Sequence, residues 1–141
     1  MGLDMYLTAE RYLGNYMNPN ERNRVIEALE GDHPPVRDTN PSATVQIDIA
    51  YWRKANQIHE WFVENVQGGE DNCQKYFVSI EELRELVTLC EGLLVKQDAE
   101  LAEAELPTAS GFFFGDTAYE ENYWADLEDT VNQLRPVLDW F

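Results

Sequence analysis

The chain has 141 residues, of which 44% are hydrophobic and 12% aromatic, and its 27 acidic residues against 10 Lys and Arg give a formal net charge of −17. This length and composition exclude a disordered chain and predict a single domain over residues 1–141. No apolar segment approaches the roughly 20 residues that span a bilayer, and the charge would repel nucleic acid backbones and anionic membranes.

The N-terminal segment and the cysteine content indicate an intracellular protein. The first residues, MGLDMYLTAER, lack both the basic and the long apolar region of a signal peptide. Cys73 and Cys90 could form only one bridge, and free thiols in a reducing environment are the expected state. We therefore expect a cytoplasmic location, with no direct contact to membranes or nucleic acids.

Alternation of apolar and polar residues predicts two strands in the first half of the chain, at residues 3–8 and 44–52. Between them Asn18-Pro19 begins a predicted short helix that Gly31 ends. Its expected apolar side carries Val25, Ile26 and Leu29. After the second strand, helical spacing of Ile58, Trp61, Phe62 and Val66 predicts a helix that Gly68-Gly69 ends.

The second half predicts two more strands and two more helices. Lys75–Val78 is typical of a short strand, and Ser79 with Glu82 forms the capping box of the helix that follows. A linker that Pro107 closes is expected after this helix. The apolar positions of the first helix are Leu83, Leu86, Val87, Cys90, Leu93 and Leu94.

A glycine-bounded aromatic strand, GFFFG at 111–115, is predicted next. Thr117 and Glu120 suggest a second capping box, before a long amphipathic helix in which Pro136 should introduce a kink or split off a last turn. Its apolar positions are Tyr123, Leu127, Val131, Leu134 and Leu138. Because the first two strands lack a crossover helix, we predict an α+β fold: a small antiparallel sheet of about four strands with three main helices packed on it.

Motifs for catalysis or metal binding are absent from the sequence. His59-Glu60 resembles the start of a zinc-protease helix, but Val63 stands where the second His belongs. The glycines lack the Lys-Ser/Thr of a phosphate loop, and there is no G-x-S-x-G nucleophile turn. The sequence thus favours a binding protein over an enzyme and predicts neither a cofactor nor a metal.

The segment from Tyr51 to His59 is the candidate ligand site. It contains the chain's only adjacent basic pair, Arg53-Lys54, at the end of a strand where a helix begins. Arginine can bind phosphate or carboxylate with two parallel bonds, an aromatic ring can stack on a flat ligand, and the helix start adds positive potential. Asn56 and His59 share a helix face and could add directional hydrogen bonds.

The same residues also fit a purely structural interpretation. Arg53 and Lys54 could pair with neighbouring acids, Trp52 could belong to the core, and His59 could be an internally bonded helix residue. The phenylalanines at 111–115 are likewise typical of a core strand, although the flanking glycines would permit close approach of a ligand.

A long acidic run is the third feature of the sequence. Between Lys96 and Arg135 there is no Lys or Arg, while ten acids give a local charge of −10. Carboxylates on neighbouring helical turns could imitate the phosphates of nucleic acid and occupy a basic groove, or could form only a solvated face. The candidate protein-interaction residues are Glu120, Glu121, Asp126, Glu128 and Asp129.

Four segments of the sequence form a distinctive combination. They are MGLDMYL, YWRKANQIHEWFV, DNCQ after the double glycine, and LPTASGFFFG. In this combination the chain resembles a family of small proteins of bacteriophages and prophages whose function is obscure. Residues 15–41 and the tail after Tyr123 are not covered. The resemblance implies a phage-type accessory protein in the bacterial cytoplasm. It also implies that certain residues recur among members of the family, whereas a strongly acidic composition does not.

The recurring residues implied by the resemblance are Tyr51, Trp52, Arg53, Lys54, His59, Asn72, Cys73, Gln74, Thr108 and the GFFFG segment. Together with the local analysis they give the candidate ligand-binding set Tyr51, Trp52, Arg53, Lys54, Asn56, His59, Asn72, Gln74, Thr108 and Phe113.

Two main functional hypotheses follow, and an enzyme acting on a nucleotide is the third alternative. The first is a non-enzymatic phage accessory protein that counters host defence by capturing a small anionic, nucleotide-like ligand. The alternative is an acidic DNA mimic that blocks a host nuclease or another DNA-binding protein. The aromatic content would suffice for a homodimer interface, although no heptad or exposed stripe identifies one.

Overall fold

The structure, a computed structural model, describes residues 4–14, 19–30, 41–109 and 118–140. These residues form two strands and five helices. In chain order they are β1 (Asp4–Leu13), α1 (Pro19–Glu30), β2 (Ala43–Arg53), α2 (Asn56–Asn65), α3 (Ile80–Lys96), α4 (Ala99–Glu105) and α5 (Glu121–Trp140). β1 and β2 pair as an antiparallel two-stranded sheet. The predicted α+β class is confirmed.

The described part of the chain divides into two compact units. One contains residues 4–6 together with 49–109 and 118–140, and the other contains residues 7–14, 19–30 and 41–48. The smaller unit buries Leu7, Leu13 and Ile26, and on its surface Arg11 and Glu21 form an ion pair at 3.0 Å. The predicted helix at 18–30 is confirmed, but Leu29 is 78% exposed rather than part of its apolar side.

Helix-on-helix packing forms the core of the larger unit, where α3 lies against α5 and α2 and α4 add smaller contacts. A two-stranded sheet offers too little area to support three helices. The expected apolar face of α3 is buried at five of its six positions, with Leu94 half-buried. The side chains with almost no exposed surface include Ile58, Leu86, Cys90, Leu93, Leu106, Leu127 and Leu134.

The number of strands and helices differs from the prediction. Residues 75–78 form no strand, and Phe77 is 88% exposed, because β-favouring side chains do not make a strand without a neighbour to pair with. The expected linker before Pro107 contains the short helix α4, in whose first turn the Glu100 amide donates to Asp98 Oδ1 at 3.0 Å. The predicted GFFFG strand at 111–115 and Thr117 lie outside the described residues.

Pro136 does not split the last helix, since α5 continues from Glu121 to Trp140. Proline removes one helical hydrogen bond, to the carbonyl four residues earlier. That carbonyl belongs to Asn132, an exposed residue, so water can bind it instead. Tyr123, Leu127 and Leu134 are buried as expected, whereas Val131 and Leu138 are half-buried, and Thr130 and Val137 complete the inward face.

The capping box at the start of α3 is confirmed in both directions. The Glu82 amide donates to Ser79 Oγ at 3.1 Å, and the Ser79 amide donates to Glu82 Oε2 at 2.8 Å. At the other end Gln97 closes the helix in the left-handed conformation, with φ of 50°. Both helix ends therefore have defined hydrogen-bond partners.

We expect Ser79→Ala to lower the free energy of unfolding by about 1 kcal/mol, because an amide of the first turn loses its acceptor. Ser79→Thr, which keeps a hydroxyl, should retain most of that stability. Urea denaturation followed by circular dichroism measures the difference, with Ser42→Ala at an exposed position as the control. Equal effects of the two alanine substitutions would contradict a stabilising cap.

Candidate functional site

The end of β2 presents Tyr51 and Arg53 on one face. Ala50 and Trp52 are buried while Tyr51 and Arg53 are exposed, as the alternation of a strand requires. Lys54 follows, exposed and with φ of 56°, and α2 begins two residues later. We call Tyr51, Arg53 and Lys54 the cationic corner. The sequence hypothesis that positive charge and an aromatic ring meet at this strand end agrees with this geometry.

Tyr51 is held in place by other side chains. Its ring lies 5.0 Å from the ring of Tyr6, measured between centroids, and its hydroxyl donates to Asp4 Oδ1 at 2.6 Å. This hydrogen bond, more than desolvation or the Asp4 charge, raises the pKa of Tyr51 above its ordinary value, while the charge of Arg53 opposes the shift. The tyrosine is thus protonated and oriented at neutral pH.

The main chain of Tyr51 is bound by the side-chain amide of Gln133 on α5. The Tyr51 amide donates to Gln133 Oε1 at 2.8 Å, and Gln133 Nε2 donates to the Tyr51 carbonyl at 2.8 Å. Gln133 Nε2 also donates to Asp129 Oδ2 at 2.9 Å, and since a carboxylate can only accept, this contact supports the assigned amide orientation. The corner is therefore fixed to α5.

The start of α2 lacks a side-chain cap. Its N-cap residue is Ala55, which has no polar side chain to accept from the first turn. Over the ranges 4–14, 19–30, 41–109 and 118–140, no carboxylate forms an ion pair with Arg53 or Lys54. Two neighbouring cations therefore stand without a described counter-ion beside the positive end of a helix.

Three other predicted ligand residues have internal hydrogen bonds. Trp52 is 3% exposed and donates from Nε1 to Thr130 Oγ1 at 2.9 Å. Asn56 is 1% exposed, and its Oδ1 accepts from the Ala109 amide at 2.9 Å. His59 is also buried, with Nε2 at 3.0 Å from Asp71 Oδ2. These contacts match the structural interpretation of Trp52 and His59, and they give Asn56 a structural role that the sequence did not suggest.

The remaining predicted residues lie in loops. Asn72 Oδ1 accepts from the Tyr76 hydroxyl at 2.9 Å and from the Gln74 amide at 3.3 Å, so Asn72 organises the turn after α2. The Thr108 amide donates to the Tyr119 hydroxyl at 3.1 Å. No described contact joins Asn72, Gln74 or Thr108 to the cationic corner, and Phe113 lies outside the described residues.

Sequence reasoning missed the side chains that hold the corner: Tyr6, Gln57, Thr130 and Gln133. Gln57 is 1% exposed, and its Nε2 donates to the Tyr123 carbonyl and to Asp126 Oδ2, both at 3.3 Å. Tyr6 occupied the polar face of the first predicted strand, and strand alternation alone does not identify its cross-strand neighbour. For the two glutamines and the threonine the sequence offered no signal.

Three of the five candidate acidic residues lie around one hollow. Glu120, Glu121 and Glu128 are exposed and line a hollow of about 480 Å³, which we call the acidic hollow. Its other lining residues are Leu94, Gln97, Trp124 and Ala125. Asp129 is exposed and bound to Gln133, so it belongs to the support of the cationic corner instead.

Asp126 differs from the other four acids because it is only partly exposed and faces Gln57. Burial raises the pKa of Asp126 from 3.8 to about 6, the charge of Asp129 adds to the increase, and the Gln57 hydrogen bond opposes it. The prediction that Asp126 contributes to an outward acidic surface does not fit this position.

A second hollow, of about 500 Å³, lies on α3 and α4 and is lined by Arg84, Glu85, Thr88, Leu89, Gly92 and Glu105. Neither hollow includes a residue of the cationic corner. Among the residues that the structure describes, no three His, Cys, Asp or Glu side chains are grouped as a metal site requires, and no helix is long and apolar enough to cross a membrane.

Comparison with protein-family models, with curated proteins and with solved structures finds no match to this chain. The site is therefore interpreted from its own geometry.

We expect Asp126→Asn to raise the free energy of unfolding by about 1 kcal/mol at pH 8, after allowing for partial exposure. The folded-state pKa of about 6 exceeds the ordinary 3.8, so the ionised carboxylate opposes folding at high pH and this cost disappears as pH falls below 4. The stability gained by Asp126→Asn should therefore be largest at pH 8 and disappear as the pH falls below 4. Urea denaturation between pH 4 and pH 8 measures it.

Glu128→Gln is the matched control, because it removes the same charge from an exposed position on the same helix. An Asp126→Asn gain that equals the Glu128→Gln gain at every pH would show that only the net charge matters.

Proposed function

We propose that the protein is a non-enzymatic binding protein that captures a small anionic ligand at the cationic corner. The observation that carries this proposal is that Arg53 and Lys54 are exposed and have no ion-pair partner in the described ranges of a chain with 27 acids. Arg11 is paired with Glu21 and Arg135 with Glu91. Arg24, Arg84 and Lys96 are exposed and also have no ion pair in the described ranges, but none of them has a cation next to it in the sequence.

The chemistry of the corner suits phosphate or carboxylate. The planar Arg53 guanidinium can bind two oxygens of such a group in parallel, and Lys54 adds a mobile point charge. The α2 dipole contributes further positive potential. The proposal includes no catalytic step. The exposed groups of the corner are two cations and the Tyr51 hydroxyl, which donates a hydrogen bond to Asp4.

The biological setting is proposed from the family resemblance. A phage-type accessory protein in the host cytoplasm would meet nucleotide-like signals of the host, and their capture would counter host defence. A protein of strongly negative charge that keeps a cationic corner would discriminate against long polyanions such as nucleic acids while still binding a small anion.

We expect Arg53→Ala combined with Lys54→Gly to weaken pyrophosphate and nucleotide binding at least tenfold, because two charge-assisted contacts are lost. Glycine is chosen at residue 54 because its φ of 56° is unfavourable for lysine and free for glycine, so stability should not fall. Isothermal titration calorimetry measures the affinity.

The control for this experiment is Arg84→Ala with Lys96→Ala, which removes two exposed cations from α3. Equal affinity of both double variants for every anion would contradict the proposed site, as would the absence of measurable heat with the unmodified protein.

The second candidate function is binding of a basic protein by the acidic hollow, as a DNA mimic would do. It is favoured by a specific observation: Glu120, Glu121 and Glu128 line a hollow whose lining also includes Trp124. Exposed carboxylates could take the place of phosphates, and an arginine of the partner could stack on an indole face. A host nuclease or another DNA-binding protein is the proposed class of partner.

For this candidate we expect a basic host protein retained on the immobilised chain to be displaced by duplex DNA and released as salt rises from about 50 to 200 mM. Substitution of Glu120, Glu121 and Glu128 by Gln should abolish retention. Substitution of the exposed Glu64, Glu70 and Glu81 by Gln changes the net charge equally and should preserve it. Retention that is insensitive to DNA, or lost equally in both triple variants, would exclude mimicry through this hollow.

A further inference from the structure

Tyr6 and Tyr51 form an exposed aromatic pair beside the cationic corner. Their ring centroids lie 5.0 Å apart with an interplanar angle of 37°, and the two residues are 65% and 43% exposed. One side of the Tyr6 ring faces Tyr51, so an exposure this large leaves its opposite side open to solvent. Cross-strand aromatic pairs stabilise a sheet by themselves, and the exposed ring area here also offers a contact surface for a flat ligand.

Tyr51, one ring of this pair, is held by hydrogen bonds although it lies at the surface. The Tyr51 hydroxyl donates to the Asp4 carboxylate, and the Tyr51 main chain is bound by the Gln133 side-chain amide. A free surface tyrosine would lose rotamer entropy on binding a ligand, whereas this ring has already been ordered by folding. Preorganised tyrosines offer large contact area at low entropic cost.

The rings and a cation share one face. Tyr51 and Arg53 are two residues apart on β2 and both exposed, so they project from the same side of the strand. The charge of Arg53 is close enough to act on the Tyr51 hydroxyl. A flat group stacked on the tyrosines would therefore have a guanidinium near its edge, which is the arrangement that nucleotides require: a ring surface and an adjacent phosphate contact.

We infer that Tyr6 and Tyr51 are a stacking platform for the base of a nucleotide whose phosphate groups are bound by Arg53 and Lys54. The inference rests on the proposed function and specifies its ligand class. The ligand is a free nucleotide and not a strand of nucleic acid, because a net charge of −17 repels an extended polyanion far more than one nucleotide. Tyr6 is a new member of the site.

The test compares ADP with pyrophosphate, which carries the same diphosphate without the adenosine, and the Tyr6 variants then assign the contribution of the base. ADP should bind at least tenfold more tightly, since stacking of one base on an aromatic ring contributes about this much. Tyr6→Ala should remove most of that advantage and leave pyrophosphate binding unchanged. Tyr6→Phe keeps the ring and should keep the advantage, and Tyr12→Ala, an exposed tyrosine of the same strand, is the control.

Calorimetry with the full chain gives the affinities, and circular dichroism verifies that each variant is folded. Should ADP and pyrophosphate bind equally, or should Tyr6→Ala weaken both to the same extent, the stacking platform is refuted while anion capture stands. Absence of binding for both probes overturns anion capture and, with it, the platform. Loss of ADP binding in Tyr12→Ala as large as in Tyr6→Ala also refutes the platform.

Discussion

The hydrogen bond from the Trp52 indole to Thr130 is the contact on which the arrangement of the site depends. An indole N–H buried to 3% exposure needs an acceptor, and Thr130 on α5 supplies it at 2.9 Å. Thr130 in turn donates to the Asp126 carbonyl at 2.7 Å. Because Trp52 is the inward neighbour of both Tyr51 and Arg53, its anchoring determines which way those two side chains face. The exposed chemistry thus follows from a buried polar contact.

Buried amides extend the same anchoring along the start of α2. Asn56 and Gln57 are each 1% exposed, and they bind the Ala109 amide and the Tyr123 carbonyl respectively. A leucine at either place would leave a main-chain group without its partner, which costs more than the hydrogen bond contributes. The sequence therefore suggested Asn56 as a ligand-binding residue, whereas in the structure its side chain binds the main chain at Ala109. Arg53 and Lys54, by contrast, are exposed to solvent.

The sequence was informative wherever the cause of structure is local. The capping box of Ser79 and Glu82, the strand alternation around Tyr51 and the apolar spacing on α3 all follow from neighbours within a few residues. Contacts between distant segments could not be predicted: Gln133 is 82 residues from Tyr51, and Thr130 is 78 from Trp52. The absent strand at 75–78 has the same origin, because strand formation requires a partner that propensity does not reveal. For the site, the sequence allowed a structural role for Trp52 and His59 but could not decide between that role and ligand binding, and it gave no sign that Asn56 is buried.

The two hydrogen bonds between the Gln133 side-chain amide and the main chain of Tyr51 affect how the protein can associate with other copies of itself. An N–H and a C=O that point outward from the last residues of a strand form a template onto which another strand can add, the usual route to edge-to-edge aggregation. Gln133 saturates both groups of Tyr51, so β2 cannot be extended at this position by a strand of another molecule. A side chain of α5 thereby protects this position of the sheet edge, beside the exposed rings of Tyr6 and Tyr51.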